Sequence, residues 1–258
     1  VNRNSAVITG VSRRIGIAWA VAERLRDNGW DLSLCGWPEH DRQQPWGADK
    51  HDPDFRGIPW QAIDFQDPQA PARVVADHLS RYGNLTALVT VHARSSDEAL
   101  GAVTAAELDA SYAVNTRATV LLVQEAARAG VRRVVLFTTG VHRDPMPTEI
   151  PYAASKAALQ GLTTSLAAAL ASTGATVNCV NPGPVDTGYA DAATLSAVAA
   201  RMPLAQRWGQ PEDIAPVVAW FLSPDASWMT GQTLDVDGGW AIRSGVQPRP
   251  DSEPVPEG

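Results

Sequence analysis

Ala6-Val7-Ile8-Thr9-Gly10-Val11-Ser12-Arg13-Arg14-Ile15-Gly16-Ile17-Ala18 decides the fold. An apolar run ends at a glycine. A second glycine, Gly16, opens a stretch with apolar residues at helical spacing, Ile17, Val21 and Leu25. Gly10 permits a tight turn, and Gly16 lets backbone amides approach a ligand. The unpaired N–H groups and positive dipole end of the helix behind them suit a diphosphate. The plain alternative is an ordinary strand-to-helix turn. Position after the first strand of an alternating chain favours a dinucleotide loop.

Outward from this stretch, short apolar runs alternate with helical patterns. Ile17 to Asn28 is a helix closed by Gly29. Leu32 to Cys35 is a second strand, and Trp37 to Gly57 a long polar connection containing prolines. Ile58 to Ile63 is a third strand and Ala70 to Tyr82 a helix. Leu85–Val91, Val131–Phe137, Ala175–Val180 and Gln232–Val236 complete seven strands, with helices over Ala105–Ala129, Tyr152–Ala171 and Pro211–Leu222. Such alternation implies parallel strands with helices on both faces. Val134-Val135-Leu136-Phe137 is apolar throughout, as a strand covered twice should be. The fold class is α/β: a single-domain Rossmann fold with a doubly wound, parallel, seven-stranded sheet. No linker divides residues 5–243, so residues 1–246 form one domain and Gln247 to Gly258 a loose, proline-rich tail. Ligands of such sheets bind beyond the carboxyl ends of the strands.

The composition narrows the function classes. Hydrophobic residues make up 45% and charged residues 19% of 258 residues, the balance of a globular protein. A net charge of -7 argues against nucleic acid or an anionic membrane as partner. No apolar run approaches the roughly 20 residues of a membrane span. Cys35 and Cys179 form no framework and no metal spacing, and no signal-peptide pattern is present. A cytoplasmic protein without a metal is expected.

Arg13 and Arg14 bear on the cofactor. A 2′-phosphate needs cationic partners, whereas NAD is usually held by an acid at the end of the second strand. That strand ends Cys35-Gly36-Trp37, without an acid, which favours NADPH/NADP+ over NADH. The alternative is that one or both arginines are merely solvated. Tyr152 and Lys156 stand four apart at the start of a helix, on one face. A nearby ammonium lowers a phenol pKa and fits Tyr152 to proton transfer near neutral pH. Lys156 is one of only two lysines in the chain, which favours this over a surface pair. Thr139, closing strand five, offers a hydroxyl to a carbonyl oxygen, or serves only strand propensity. Asn115 lies inside an apolar helix. It holds a water beside Lys156 or satisfies a backbone kink.

These residues resemble the short-chain dehydrogenase/reductase family over roughly residues 5 to 243. The resemblance rests on the Gly10/Gly16 turn, Asp64, Asn115, the Tyr152/Lys156 pair, Asn181-Pro182-Gly183-Pro184 with Thr187, Trp208 to Ala215, and Asp237-Gly238-Gly239. It implies Tyr152 as general acid, Lys156 as the group that tunes it and holds the nicotinamide ribose, Thr139 in place of a serine, and Asn115 in a proton relay. Asp64 and Phe65 would border the adenine. Pro182, Gly183, Val185 and Thr187 would border the nicotinamide. Ser12, Ile17, Trp37, His92 and Ala93 complete the implied cofactor set. The pattern departs from the family at Ala18, at Thr139 and at Thr90-Val91-His92-Ala93-Arg94, which replaces Asn-Asn-Ala-Gly. His92 is a polar neighbour of the site or a loop residue. A long first loop is similar to the enoyl-thioester reductase branch, but the Tyr–Lys spacing of four belongs to the carbonyl-reducing branch, which includes 3-oxoacyl-[acyl-carrier-protein] reductases.

Substrate contacts are expected from Val141, His142, Arg143 and Met146, and from Tyr189 and Met202 within a lid over about residues 186–207. The reading is an NADPH-dependent oxidoreductase acting on a small carbonyl or alcohol compound. The resemblance also implies a homotetramer or homodimer. The alternatives are a non-catalytic nucleotide-binding homologue, or an enzyme of the same fold acting on an enone.

Overall fold

Ser5–Thr9 (β1) is buried along its whole length and pairs in parallel with Asp31–Gly36 (β2) on one side and Ala87–Thr90 (β4) on the other. Trp60–Ala62 (β3) extends the sheet beyond β2. Arg133–Phe137 (β5), Thr176–Asn181 (β6) and Thr233–Asp235 (β7) extend it beyond β4. The order is β3-β2-β1-β4-β5-β6-β7, all parallel. The structure is a computed structural model that describes residues 3–49, 55–141, 145–204 and 206–242. The expected tail at 247–258 lies outside the described residues, as do His142 and Arg143.

Alternate residues along the strands feed two cores. Ala6, Ile8, Leu34, Val135 and Phe137 pack under Ile17–Asp27 (α1) and Pro211–Leu222 (α8), with Trp19, Leu25, Ile214 and Phe221. Val7, Cys35, Leu88, Val134 and Leu136 pack under Ala70–Tyr82 (α3) and Ala118–Arg128 (α5), with Val74 and Leu122. Period-two side-chain alternation sends neighbours to opposite faces, and both faces are covered, so the strands read as unbroken apolar runs. The helix ends follow local chemistry. Gly83 closes α3 in the left-handed region at φ 74°, and Gln210 with Asp213 forms a capping box ahead of Pro211 in α8.

Three segments depart from the sequence expectations. The connection after β2 contains a helix, Pro38–Gln43 (α2), started by Pro38. Ala192–Ala199 (α7) stands in the expected lid, capped by the Asp191 carboxylate on the Thr194 N–H. The helix expected over Ala105–Ala129 is three pieces: Ala105–Ser111 (α4), a π-helical turn at Tyr112–Arg117, and α5. The π turn inserts one residue without disturbing the apolar spacing. It packs against Ile150–Leu170 (α6), where the Thr116 hydroxyl donates to the Ser155 carbonyl at 2.8 Å.

Candidate active site

The loop after β1 is braced against β2. A Cβ on Gly36 would lie 2.2 Å from the Val11 carbonyl oxygen, so only glycine lets the two backbones meet. The Val11 N–H donates to the Cys35 carbonyl at 2.8 Å, and the Trp37 N–H to Ser12 Oγ at 2.7 Å. Gly10 holds φ 82° and lies so close to His92 that a Cβ would sit 2.6 Å from its nitrogen. Gly16 caps α1 without a side chain, leaving the helix N-terminus open to a ligand.

This loop is one wall of a cavity of about 440 Å³. Gly10, Ser12, Arg13, Gly16 and Ile17 line it, as do Trp37 and Phe65 after β2 and β3. His92 and Ala93 after β4, Thr139 after β5, and Met146 and Tyr152 line it further along. Pro182, Gly183, Val185, Thr187 and Tyr189 complete it after β6. The structure thus brings most of the expected residues to one place, beyond the carboxyl ends of the strands.

Several expected residues stand elsewhere. Asp64 spends its carboxylate on the Gln66 N–H at 2.8 Å, while its neighbours Ile63 and Phe65 line the cavity. The Arg14 N–H donates to Asp49 at 3.1 Å, and Arg14 is absent from the lining. Val141 is half-buried outside it. Met202 is buried with its sulfur against Gly238, 3.1 Å from where a Cβ would stand, so it packs the turn after β7 and does not face the cavity.

Asn115 occupies the π turn, fully buried, and its amide is saturated. Nδ2 donates to the Arg94 carbonyl at 3.0 Å and to Ser155 Oγ at 2.8 Å, while Oδ1 accepts the Arg94 N–H at 2.6 Å. Its partners are the Arg94 backbone after β4 and Ser155 on α6, so the side chain ties the π turn to its neighbours. His92 is a buried clamp between elements. Its ring lies 2.6 Å from Thr9 Oγ1 at Nδ1 and 3.0 Å from the Val114 carbonyl at Nε2, and it packs on Phe65 at 4.4 Å. The Val114 carbonyl accepts only, so Nε2 carries the proton and Nδ1 accepts from Thr9. Burial and the Lys156 charge push His92 down to about 3, so it stays neutral.

The Tyr152 and Lys156 electrostatics differ from the simple expectation. Lys156 Nζ is buried and donates to the carbonyls of His92 at 3.3 Å and Phe137 at 3.2 Å, and burial lowers its pKa to about 8. Tyr152 is raised above its ordinary value, first by burial and then by Glu149 and Tyr189. Lys156 is not among the groups that shift Tyr152, and its ammonium donates to backbone oxygens. Thr139 Oγ1 lies 3.6 Å from Met146 Sδ.

Sequence reasoning missed His40, Asp41, Trp46, Asp97 and Glu149, all of which line the cavity. The first three come from the segment read as a plain connection. Burial and then Asp97 raise the pKa of Glu149. Trp46 reaches Tyr189 edge-on at 6.3 Å, so the segment after α2 touches the segment after β6.

A family profile described as "Enoyl-(Acyl carrier protein) reductase" matches residues 10–241. The chain belongs to the short-chain dehydrogenase/reductase family. It is 31% identical to a Bacillus subtilis protein named "Uncharacterized oxidoreductase YjdA", over 91% of this chain and 96% of that one. It is 30% identical to the Staphylococcus aureus 3-oxoacyl-[acyl-carrier-protein] reductase FabG, over 91% and 97%. Among solved structures, it is similar to a blue fluorescent protein from a metagenomic library in complex with NADPH. That match has TM-score 0.78 and 30% identity, over 93% of this chain and 98% of that one. Short-chain dehydrogenases/reductases are NAD(P)-dependent oxidoreductases acting on small molecules, and the seven-stranded sheet places this chain among them by fold as well.

Proposed function

We propose that this chain is an NADP(H)-dependent oxidoreductase interconverting a carbonyl and an alcohol, a ketoreductase of the 3-oxoacyl reductase type. The single observation that carries the reading is that Tyr152 and Thr139 face the same cavity as the Gly10–Gly16 loop. The cavity fits a dinucleotide. Gly10, Gly36 and Gly183 leave backbone where any Cβ would collide, and Arg13 offers a guanidinium near β2. Gly10, Ser12, Gly16 and Ile17 would hold the diphosphate, Phe65 and Ala93 the adenosine, and Pro182, Gly183, Val185 and Thr187 the nicotinamide. The bound cofactor supplies or accepts the hydride.

The chain's own residues supply the rest. Thr139 Oγ1 turns from Met146 to donate to the substrate oxygen. Tyr152, held protonated by burial, gives that oxygen its proton as general acid and takes it back in the reverse direction. Lys156, one helical turn along α6, would supply the positive charge that favours the resulting phenolate. Asn115 is a positioning residue, fixing Arg94 and Ser155 around that helix. Met146 and Tyr189 would contact the substrate. The profile description names enoyl reduction, but the Tyr152–Lys156 spacing favours the carbonyl chemistry.

The test is NADPH oxidation against a panel of 3-oxo esters and thioesters, with product analysis. Tyr152→Phe should retain NADPH binding and lose turnover by about 100-fold or more. Unchanged turnover would overturn the assignment, and a saturated product from an enone alone would establish the enone reading. We also infer a cytoplasmic homotetramer or homodimer using α6 and β7. Small residues Ala154, Ala157, Gly161 and Ala168 are exposed along α6, and light scattering on the purified protein tests it.

A further inference from the structure

Two polar atoms at the β2 end of the cavity are unsatisfied. His40 Nε2 and Asp41 Oδ2 are buried and have no hydrogen-bond partner among the described residues. Both residues are only 8% exposed, and both line the cavity. Buried polar atoms are almost always paired, so two adjacent exceptions in a binding cavity point to a ligand that completes them.

The neighbours say which part of a ligand. Asp41 Oδ1 accepts the Trp46 indole N–H at 3.1 Å and stands 3.8 Å from Arg13 Nε. Arg13 lies 5.8 Å from the Trp46 ring centroid, with its side chain 14% exposed. Its charge is therefore already matched by a carboxylate. With His40 neutral, the group Arg13, Asp41 and His40 carries no net charge. A 2′-phosphate dianion arriving there needs a second cation, because a buried charge is tolerated only when paired. His40 can supply it. Its ring is held on Trp37 at 5.2 Å and 17°. Asp41 on its own helix and Asp64 after β3 favour the imidazolium, while burial and Arg94 after β4 oppose it. The ring is thus neutral until an anion tips the balance.

We propose that His40 is the second phosphate-binding side chain of this site, taking a proton from solvent when a 2′-phosphate binds, and that Asp41 is the counterweight that also admits the unphosphorylated dinucleotide. This rests on reading the cavity as an NADP(H) site. Imidazolium Nε2–H donates to a phosphate oxygen, and Asp41 Oδ2 accepts a ribose hydroxyl. Cofactor choice is then a balance of three residues and not a property of Arg13 alone.

Calorimetric titration of the full chain with NADPH and NADH, in two buffers of different ionisation enthalpy from pH 6.5 to 8.5, tests this without any variant. NADPH binding should take up close to one proton more than NADH binding near pH 8. The NADPH/NADH affinity ratio should fall by about tenfold per pH unit near pH 8. His40→Gln should abolish the extra uptake and flatten the ratio. Asp41→Asn should raise the ratio about tenfold by releasing Arg13. Equal proton uptake for the two cofactors, or an uptake that survives His40→Gln, overturns the proposal and leaves the NADP(H) reading standing. Binding of neither dinucleotide overturns both.

Discussion

Asn115 Nδ2 and Ser155 Oγ lie 2.8 Å apart, joining the π turn to α6 one residue before Lys156. The Ser155 hydroxyl in turn donates to the Tyr152 carbonyl at 2.7 Å. α6 is thereby fixed to the chain that follows β4. Removing the amide leaves the Arg94 N–H and carbonyl without their partners. Asn115→Ala should destabilise the protein by about 2–3 kcal/mol. In a double-mutant cycle of denaturant midpoints, its effect should be less than additive with Ser155→Ala. Strict additivity would mean that the bridge carries no coupling.

If the chain reduces carbonyls as proposed, the Lys156 ammonium, with its pKa lowered to about 8 by burial, should set an alkaline limit on the rate. Below that value the Lys156 charge, one helical turn along α6 from Tyr152, is present. Above it the charge is lost, while Tyr152 itself remains protonated because its pKa is raised. The reduction rate should be level near pH 7 and fall above pH 8. Lys156→Arg, which keeps its charge at every accessible pH, should lose the alkaline limb whatever its absolute rate. A limb that persists in this variant assigns the titration to another group.

Gly36→Ala should act as a loop mutation although it changes a strand residue. The added methyl would overlap the Val11 carbonyl oxygen at 2.2 Å, and both sides of the contact are backbone, so the glycine loop must move. We expect a loss of stability of about 1–3 kcal/mol, as for overpacking. Dinucleotide affinity, followed by quenching of tryptophan fluorescence, should weaken at least about tenfold. Unaltered affinity would show that the loop tolerates displacement.

His78 predicts acid lability. It is fully buried between Ser33 and Ser5, at 2.8 and 3.1 Å, and burial lowers its pKa to about 4 from 6.5. The unfolded chain therefore binds the proton first as pH falls. Stability is fully present above about pH 6.5 and is lost between there and pH 4, by on the order of 3 kcal/mol. His92, lowered to about 3, adds to the slope in the same direction. Melting temperatures from pH 7.5 to 4.5 should show the decline, with a shallower slope in His78→Gln. An unchanged slope in that variant would exonerate His78.

What could be read from the sequence had strong local causes. Ala70–Tyr82 and Pro211–Leu222 match the expected helices end for end, because Gly83 and Pro211 fix their limits chemically. The glycine loop could be read from its place after the first strand, and Tyr152 from its pairing with one of only two lysines. The π turn left no trace, since one inserted residue keeps Val114, Ala118 and Leu122 buried in the same stripe. His40 and Asp41 were hidden in a polar stretch that has no apolar periodicity. Their burial comes from stacking on Trp37 within the same turn and from the Arg13–Asp41 pair, the second a tertiary event. The backbone oxygens around Lys156 were equally invisible, since carbonyls have no sequence signature.

The central place of β1 also governs how the chain is made. Ser5–Thr9 needs Ala87–Thr90 on one side, and every neighbour in the sheet is parallel, so no hairpin can cover it early. At about 5–20 residues per second of synthesis, one edge of β1 stays unpaired on the ribosome for on the order of ten seconds. For that interval Ala6, Val7 and Ile8 present an uncovered apolar template to any other nascent chain. Yield on overexpression should therefore be governed by growth temperature and chaperone supply while the stretch from β1 to β4 is being made, and not by the stability of the finished protein.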